Sequence, residues 1–357
     1  MNKIRVFIVD DSAVMRQVLG EVIESDPQLT VCGSAPDPLI AERKMVKDWP
    51  DVVVLDIAMP KMDGIAFLRH IMSTHPTPIV ICSAKTEADP QLSLEALSSG
   101  AIEVINKPQS QLNDYLHSQQ VVVILNAIKQ AAKAKVKTLK YIGEHSYRTH
   151  NNADVVLDYK SCSPTEGADK VIVIGASTGG TEAVRHFLHH TPISGPPIVV
   201  VQHMPEKFTR AFAMRLNNEI EQTVVEASEG VELKAGWVYI APGGVHTLLK
   251  RKQTHYYLEL KDGPLVSRHK PSVDVLFRSA AKAAGRDAIG VILTGMGDDG
   301  AQGMLELHHA GARTFAQSEA SCLIYGMPKE AIEKGGVDGV YALELLPYQV
   351  IKSLEAR

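Results

Sequence analysis

The chain has 357 residues, 45% of them hydrophobic and 22% charged, with a formal net charge of −4. That length calls for about two domains of roughly 100–200 residues, the apolar share excludes a disordered chain, and the mild acidity lacks the basic footprint of a nucleic-acid binder. No apolar run approaches the roughly 20 residues that span a bilayer, and Met1–Asp10 lacks a secretory h-region. A cytoplasmic protein without membrane insertion is expected, its four scattered cysteines, Cys32, Cys82, Cys162 and Cys322, reduced.

From Ile4 onward, short β-branched runs alternate with helical periodicity: Ile4–Val9, Leu29–Cys32, Val52–Leu55, Pro78–Cys82 and Ile102–Ile105. This pattern predicts βαβ units and a doubly wound, five-stranded parallel sheet. Ligands of such sheets sit at the carboxyl ends of the strands. There the sequence places Asp10 and Asp11 after the first run, Asp56 after the third, Ser83 after the fourth and Lys107 after the fifth. Converging carboxylates repel one another, and a hard divalent cation with oxygen ligands, Mg²⁺ being the natural choice, relieves that. A carboxylate beside such a cation, a hydroxyl and a lysine is equipped to accept a phosphoryl group, and Asp56 is the acceptor by position.

The order Val9-Asp10-Asp11-Ser12, Leu55-Asp56-Ile57-Ala58-Met59-Pro60, Met62-Asp63-Gly64, Ser83-Ala84 and Lys107-Pro108 resembles a response-regulator receiver domain. The resemblance implies a flavodoxin-like fold and phosphorylation of Asp56 by a partner histidine kinase. It further implies Mg²⁺ held by Asp11, Asp56 and the Ala58 carbonyl with Asp10 assisting, phosphoryl oxygens bound by Ser83 and Lys107, and a cis peptide before Pro108. The family commonly has Tyr or Phe three residues before the lysine, where this chain has Val104, so the usual aromatic coupling is not expected.

Residues 129–168 read as a linker, with Lys129, Lys133, Lys135, Lys137 and Lys140 on a solvated helix face and then a polar stretch. That leaves 1–128 as receiver and 169–357 as a second α/β domain. The latter alternates again through Val171–Ile174, Ile198–Val201, Trp237–Ile240 and Ile289–Leu293, with Leu248–Lys250 and Tyr256–Leu260 flanking a polar tip as in a hairpin.

The first of these runs leads into Gly175-Ala176-Ser177-Thr178-Gly179-Gly180 and a helical pattern, a G-x-S-x-G sequence that sets Ser177 at a helix N-terminus whose N–H groups can bind an oxyanion. A serine hydroxyl needs a base. The next run ends in Gln202-His203-Met204-Pro205, and Ile289–Leu293 ends in Thr294-Gly295-Met296-Gly297-Asp298-Asp299-Gly300, offering an imidazole and a carboxylate to orient it. Spacing alone does not choose between Asp298 and Asp299, and either could cap the helix after Gly300. The chain order Ser, His, Asp differs from that of α/β-hydrolases. A dinucleotide fold would want glycine where Ser177 stands and an acid ending the next strand.

Together with Ile240-Ala241-Pro242-Gly243 and Arg268-His269-Lys270-Pro271-Ser272-Val273-Asp274, these motifs resemble the catalytic domain of chemotaxis protein-glutamate methylesterases. That resemblance implies hydrolysis of γ-glutamyl methyl esters, and deamidation of glutamines, on methyl-accepting chemoreceptors. It makes Ser177 the nucleophile, His203 the general base and Asp299 the orienting acid, with Thr178, Met296 and His269 supporting them. No cofactor is expected for ester hydrolysis, and the receiver is expected to restrain the site until Asp56 is phosphorylated. Asp298 stands where the family has Asn, a second carboxylate expected to raise the basicity of His203.

Overall fold

The structure is a computed structural model that describes residues 3–59, 64–83, 90–107, 119–134 and 170–355. Pro60, Met62, Asp63, Ala84, Pro108 and the irregular part of the linker lie outside the described residues. The chain divides into two compact units, Met1–Leu139 and Lys140–Arg357.

In the first unit, β1 (Ile4–Val9), β2 (Leu29–Ala35), β3 (Val52–Leu55), β4 (Ile79–Ser83) and β5 (Glu103–Asn106) alternate with α1 (Ala13–Glu24), α2 (Pro38–Met45), α3 (Gly64–Thr74), α4 (Pro90–Ser98) and α5 (Gln119–Ala131). The sheet is parallel in the order β2-β1-β3-β4-β5. Every residue of β3 and β4 is buried, as expected of strands covered on both faces. Ser12 and Asp37 cap α1 and α2 by accepting from the Met15 and Ile40 N–H groups. A Cβ at Gly64 would lie 2.7 Å from the Asp56 carbonyl oxygen, so glycine lets α3 start directly against the Asp56 loop. Val104 is half-buried against the core formed by Leu55, Ile65, Leu68 and Ile81. Lys129, expected in a solvated linker, lies in α5 with its ammonium 2.7 Å from Asp26.

The second unit holds a seven-stranded parallel sheet built from β6 (Val171–Ala176), β7 (Ile198–Gln202), β8 (Thr223–Glu226), β9 (Trp237–Ile240), β12 (Ala288–Ile292), β13 (Arg313–Gln317) and β14 (Gly339–Tyr341). Its order is β14-β13-β12-β6-β7-β9-β8, with four-residue β8 and three-residue β14 at the margins. The expected hairpin is present as β10 (His246–Lys252) and β11 (His255–Lys261), antiparallel around a left-handed Gln253. The helices are α6 (Gly180–His189), α7 (Glu206–Glu219), α8 (Val273–Ala283), α9 (Ala301–His309), α10 (Met327–Glu333) and α11 (Leu346–Glu355). β6 and β7 are wholly buried, and Val173, Val201, Phe277 and Met304 belong to one core cluster. A Cβ at Gly175 would come within 2.2 Å of Val273, so α8 lies directly on β6. Register pairs Gly175 with Ile292 on one side and Ala176 with Gln202 on the other, which levels the carboxyl ends of three adjacent strands.

Candidate active site

Ser177 follows the central strand β6, with His203 after β7 on one side and the Thr294–Gly300 loop after β12 on the other. The Ser177 backbone is fixed at both ends. Its N–H donates to the Thr294 carbonyl at 3.1 Å, and its own carbonyl accepts from Gly180 N–H at 2.7 Å and from Gln202 Nε2 at 2.9 Å. Gly179 turns the chain with φ 77°, and a Cβ at Gly180 would sit 2.1 Å from Gln202 Oε1. A Cβ at Gly295 would meet Met327 Sδ at 2.4 Å and Ser177 Cβ at 2.7 Å. Small residues are thus imposed on both sides of the serine.

The His203 backbone N–H donates to the Ala176 carbonyl at 3.0 Å, anchoring the imidazole beside the serine loop. Its Nε2 lies 2.8 Å from Asp299 Oδ2, and both side chains are buried. The other ring nitrogen, Nδ1, is buried without a hydrogen-bond partner. A carboxylate holding one nitrogen as N–H leaves the other as an acceptor, so Nδ1 is the nitrogen able to take a proton.

Asp299 is 1% exposed, and both its oxygens are saturated. Oδ1 accepts from Ser272 Oγ at 2.7 Å and from Asp274 N–H at 3.0 Å, while Oδ2 accepts from Val273 N–H at 2.8 Å as well as from His203. Burial alone would raise its proton affinity, but the His203 hydrogen bond and charge, with the Asp274 and Ser272 donors, hold the carboxyl below its ordinary range. Asp299 does not cap its own helix. Its donors are the N-terminus of α8, whose positive end favours the anion.

Asp298, the other candidate, is exposed and 3.1 Å from Arg268 Nη2. Its ion pair is an exposed one, open to screening by salt. His269 stacks on His203, ring centroids 3.7 Å apart and planes 5° from parallel. Burial, then the neighbouring His203, pushes the His269 imidazole down to about 4, so it is neutral near pH 7. Thr178 and Met296 are half-buried, and the N–H groups of Thr178, Gly179 and Met296 make no hydrogen bond among the described residues.

Sequence reasoning missed Thr294, Gln202 and Ser272. Thr294 Oγ1 bonds the Thr178 and Ile324 carbonyls, tying the serine loop to the segment before α10. Ser272 reads locally as a cap for α8, but its hydroxyl goes to Asp299 instead.

The first unit brings Asp10, Asp11 and Asp56 together with one ligand atom from each within 4.8 Å of the others. Lys107 Nζ stands 2.6 Å from both Asp10 Oδ2 and Asp56 Oδ2. Asp10 Oδ2 and Asp56 Oδ2 thus share one ammonium beside the Asp11 carboxylate. That donor set fits a hard cation with oxygen ligands. Burial raises the Asp10 carboxyl against the opposing Lys107 hydrogen bond. Ser83 is fully buried, and the Ala58 N–H donates to Asp56 Oδ1 at 3.0 Å.

The profile described as CheB methylesterase matches residues 172–350, and that of the response regulator receiver domain matches residues 6–117. The chain belongs to the CheB methylesterase family. A protein-glutamate methylesterase/protein-glutamine glutaminase from Geobacter metallireducens is 50% identical over 353 residues, 99% of each chain. One from Shewanella oneidensis is 50% identical over 351 residues, 98% of each. The crystal structure of the Thermotoga maritima CheB methylesterase catalytic domain, 40% identical, superposes with a TM-score of 0.51 over 52% of this chain and 98% of its own. The CheB methylesterase match holds Ser177, His203 and Asp299, and the receiver match holds Asp10, Asp56 and Lys107. No helix among the described residues is long and apolar enough to cross a membrane.

Proposed function

We propose that this chain hydrolyses glutamate γ-methyl esters, and deamidates glutamines, on methyl-accepting chemoreceptors in the cytoplasm, with Ser177, His203 and Asp299 as nucleophile, base and orienting acid. The observation that carries this reading is the buried 2.8 Å pair of His203 Nε2 and Asp299 with His203 Nδ1 left as the free acceptor. Nδ1 takes the Ser177 Oγ proton as Oγ attacks the ester carbonyl. The oxyanion falls to the unbonded N–H groups of Thr178, Gly179 and Met296. His203 returns the proton to the leaving methoxide, and methanol departs. Water, deprotonated by the same nitrogen, then releases the glutamate. An amide follows the same path with ammonia leaving, so one site serves both substrates.

The receiver, residues 1–128 ahead of a 129–168 linker and the 169–357 catalytic domain, carries the control. A chemotaxis histidine kinase supplies the phosphoryl group to Asp56, with Ser83 and Lys107 binding its oxygens. Asp11, Asp56 and the Ala58 carbonyl, with Asp10 assisting, would hold Mg²⁺, which would supply charge neutralisation for that transfer.

Ser177→Ala tests the assignment. Methanol release from methylated receptor membranes should fall by roughly 10⁴-fold or more, while Asp56 still accepts phosphate from a small phosphodonor. Turnover near that of the parent chain would remove Ser177 as nucleophile.

A further inference from the structure

Two helices run side by side from adjacent N-termini next to the Asp299–His203 pair, and neither caps itself. Ser272 and Gly300 occupy the N-cap positions of α8 and α9, and neither makes a side-chain cap bond to its own helix. Each helix instead takes a carboxylate from the other. Asp299, just ahead of α9, accepts from the Val273 and Asp274 N–H groups of α8. Asp274, in the first turn of α8, accepts from the Gly303 N–H of α9 at 2.7 Å through Oδ1. The exchange requires the helix ends to touch: a Cβ at Gly300 would lie 2.6 Å from Val273 Cγ1, and one at Gly303 would lie 3.1 Å from the Asp274 carbonyl oxygen.

The second oxygen of Asp274 has a different task. Oδ2 accepts from Ser267 Oγ at 3.1 Å, and Ser267 with Arg268 forms the corner of a tight turn in which both residues are left-handed, φ 49° and 71°. Val266 and His269 close that turn with reciprocal backbone hydrogen bonds of 3.1 and 2.9 Å. Two non-glycine residues in this region are strained and persist only where their surroundings over-determine them. The turn delivers His269 onto the face of His203. One carboxylate therefore bonds both the first turn of α9, which follows Asp299, and the turn carrying His269.

Resting on the hydrolytic reading above, we propose that Asp274 is a positioning residue that holds Asp299 and His269 against His203. It touches neither Ser177 nor His203 among the described contacts, so its effect passes through geometry. A misplacement of about 1 Å at a reacting group costs up to about 100-fold. Asp274→Asn, nearly isosteric and still able to accept from Gly303, should lower kcat for methanol release roughly 10- to 100-fold with KM unchanged. Ser267→Ala, which removes one neutral hydrogen bond and leaves the reciprocal caps in place, should lower kcat about 2- to 10-fold. In both variants the downfield proton resonance of the His203 Nε2–H···Asp299 bond should broaden or move. Thermal unfolding checks that both remain folded under assay conditions. A kcat and resonance like those of the parent in folded Asp274→Asn would overturn the proposal. So would a loss that only tracks the unfolded fraction. Failure of the hydrolytic reading is separate: the parent chain would then release no methanol and Ser177 would not react with a fluorophosphonate.

Discussion

Asp10 and Asp299 are both buried carboxylates at strand ends, yet their surroundings drive them in opposite directions. Asp299 has four donors and its carboxyl is held below its ordinary range, whereas burial raises the Asp10 carboxyl despite the Lys107 contact. A carboxyl whose folded pKa lies above its unfolded value makes the folded state less stable at pH above the unfolded value, pH 7 included. Asp10→Asn should therefore raise the unfolding temperature of the receiver at pH 7 while depressing Mg²⁺-dependent phosphorylation of Asp56. Calorimetry and phosphodonor labelling of the same variant check both halves, and a lower unfolding temperature would contradict the electrostatic account. Mg²⁺ itself should raise the transition of the parent chain by binding only the folded form, and the gain should shrink in Asp10→Asn.

At the scale of elements, Asp299 caps the start of α8 as well as bonding His203. Asp299→Ala leaves the Val273 and Asp274 N–H groups and the Ser272 hydroxyl without their acceptor, so stability should fall by about 2 kcal/mol, read from the urea midpoint of the catalytic unit. The stabilisation has a definite pH sign. The folded carboxyl sits below its ordinary value, so the contribution is complete above about pH 4 and disappears as pH falls through the folded value. The same interlocking explains what the sequence could and could not disclose. β6, β7, β12 and the hairpin were legible because their apolar runs or alternation are local. β13 was missed because Thr314 and Gln317 break its apolar run, and both are buried for side-chain bonds to Asp338 and Thr294. β8 and β14 were missed because each is a short marginal strand, four and three residues long. Ser177 and His203 announced themselves by following strands. The choice of Asp299 over Asp298 could not be made from spacing, because it depends on donors 25 to 27 residues away.

At the scale of the molecule, two parallel sheets with separate cores share one chain. Ser177, His203, Asp299 and every donor to them lie within Lys140–Arg357. A chain lacking roughly the first 150 residues should therefore still release methanol, and under the proposed control by the receiver it should do so faster than the unphosphorylated full chain. Rates of the two proteins with and without a phosphodonor test this, and equal basal rates would remove the restraint. The narrow margins of the larger sheet matter for such a fragment. Among the described residues β14 and β8 are its edges and among its shortest strands, so these margins offer little unpaired backbone for another copy to extend. The large sheet itself is therefore poorly suited to strand-by-strand extension by another copy.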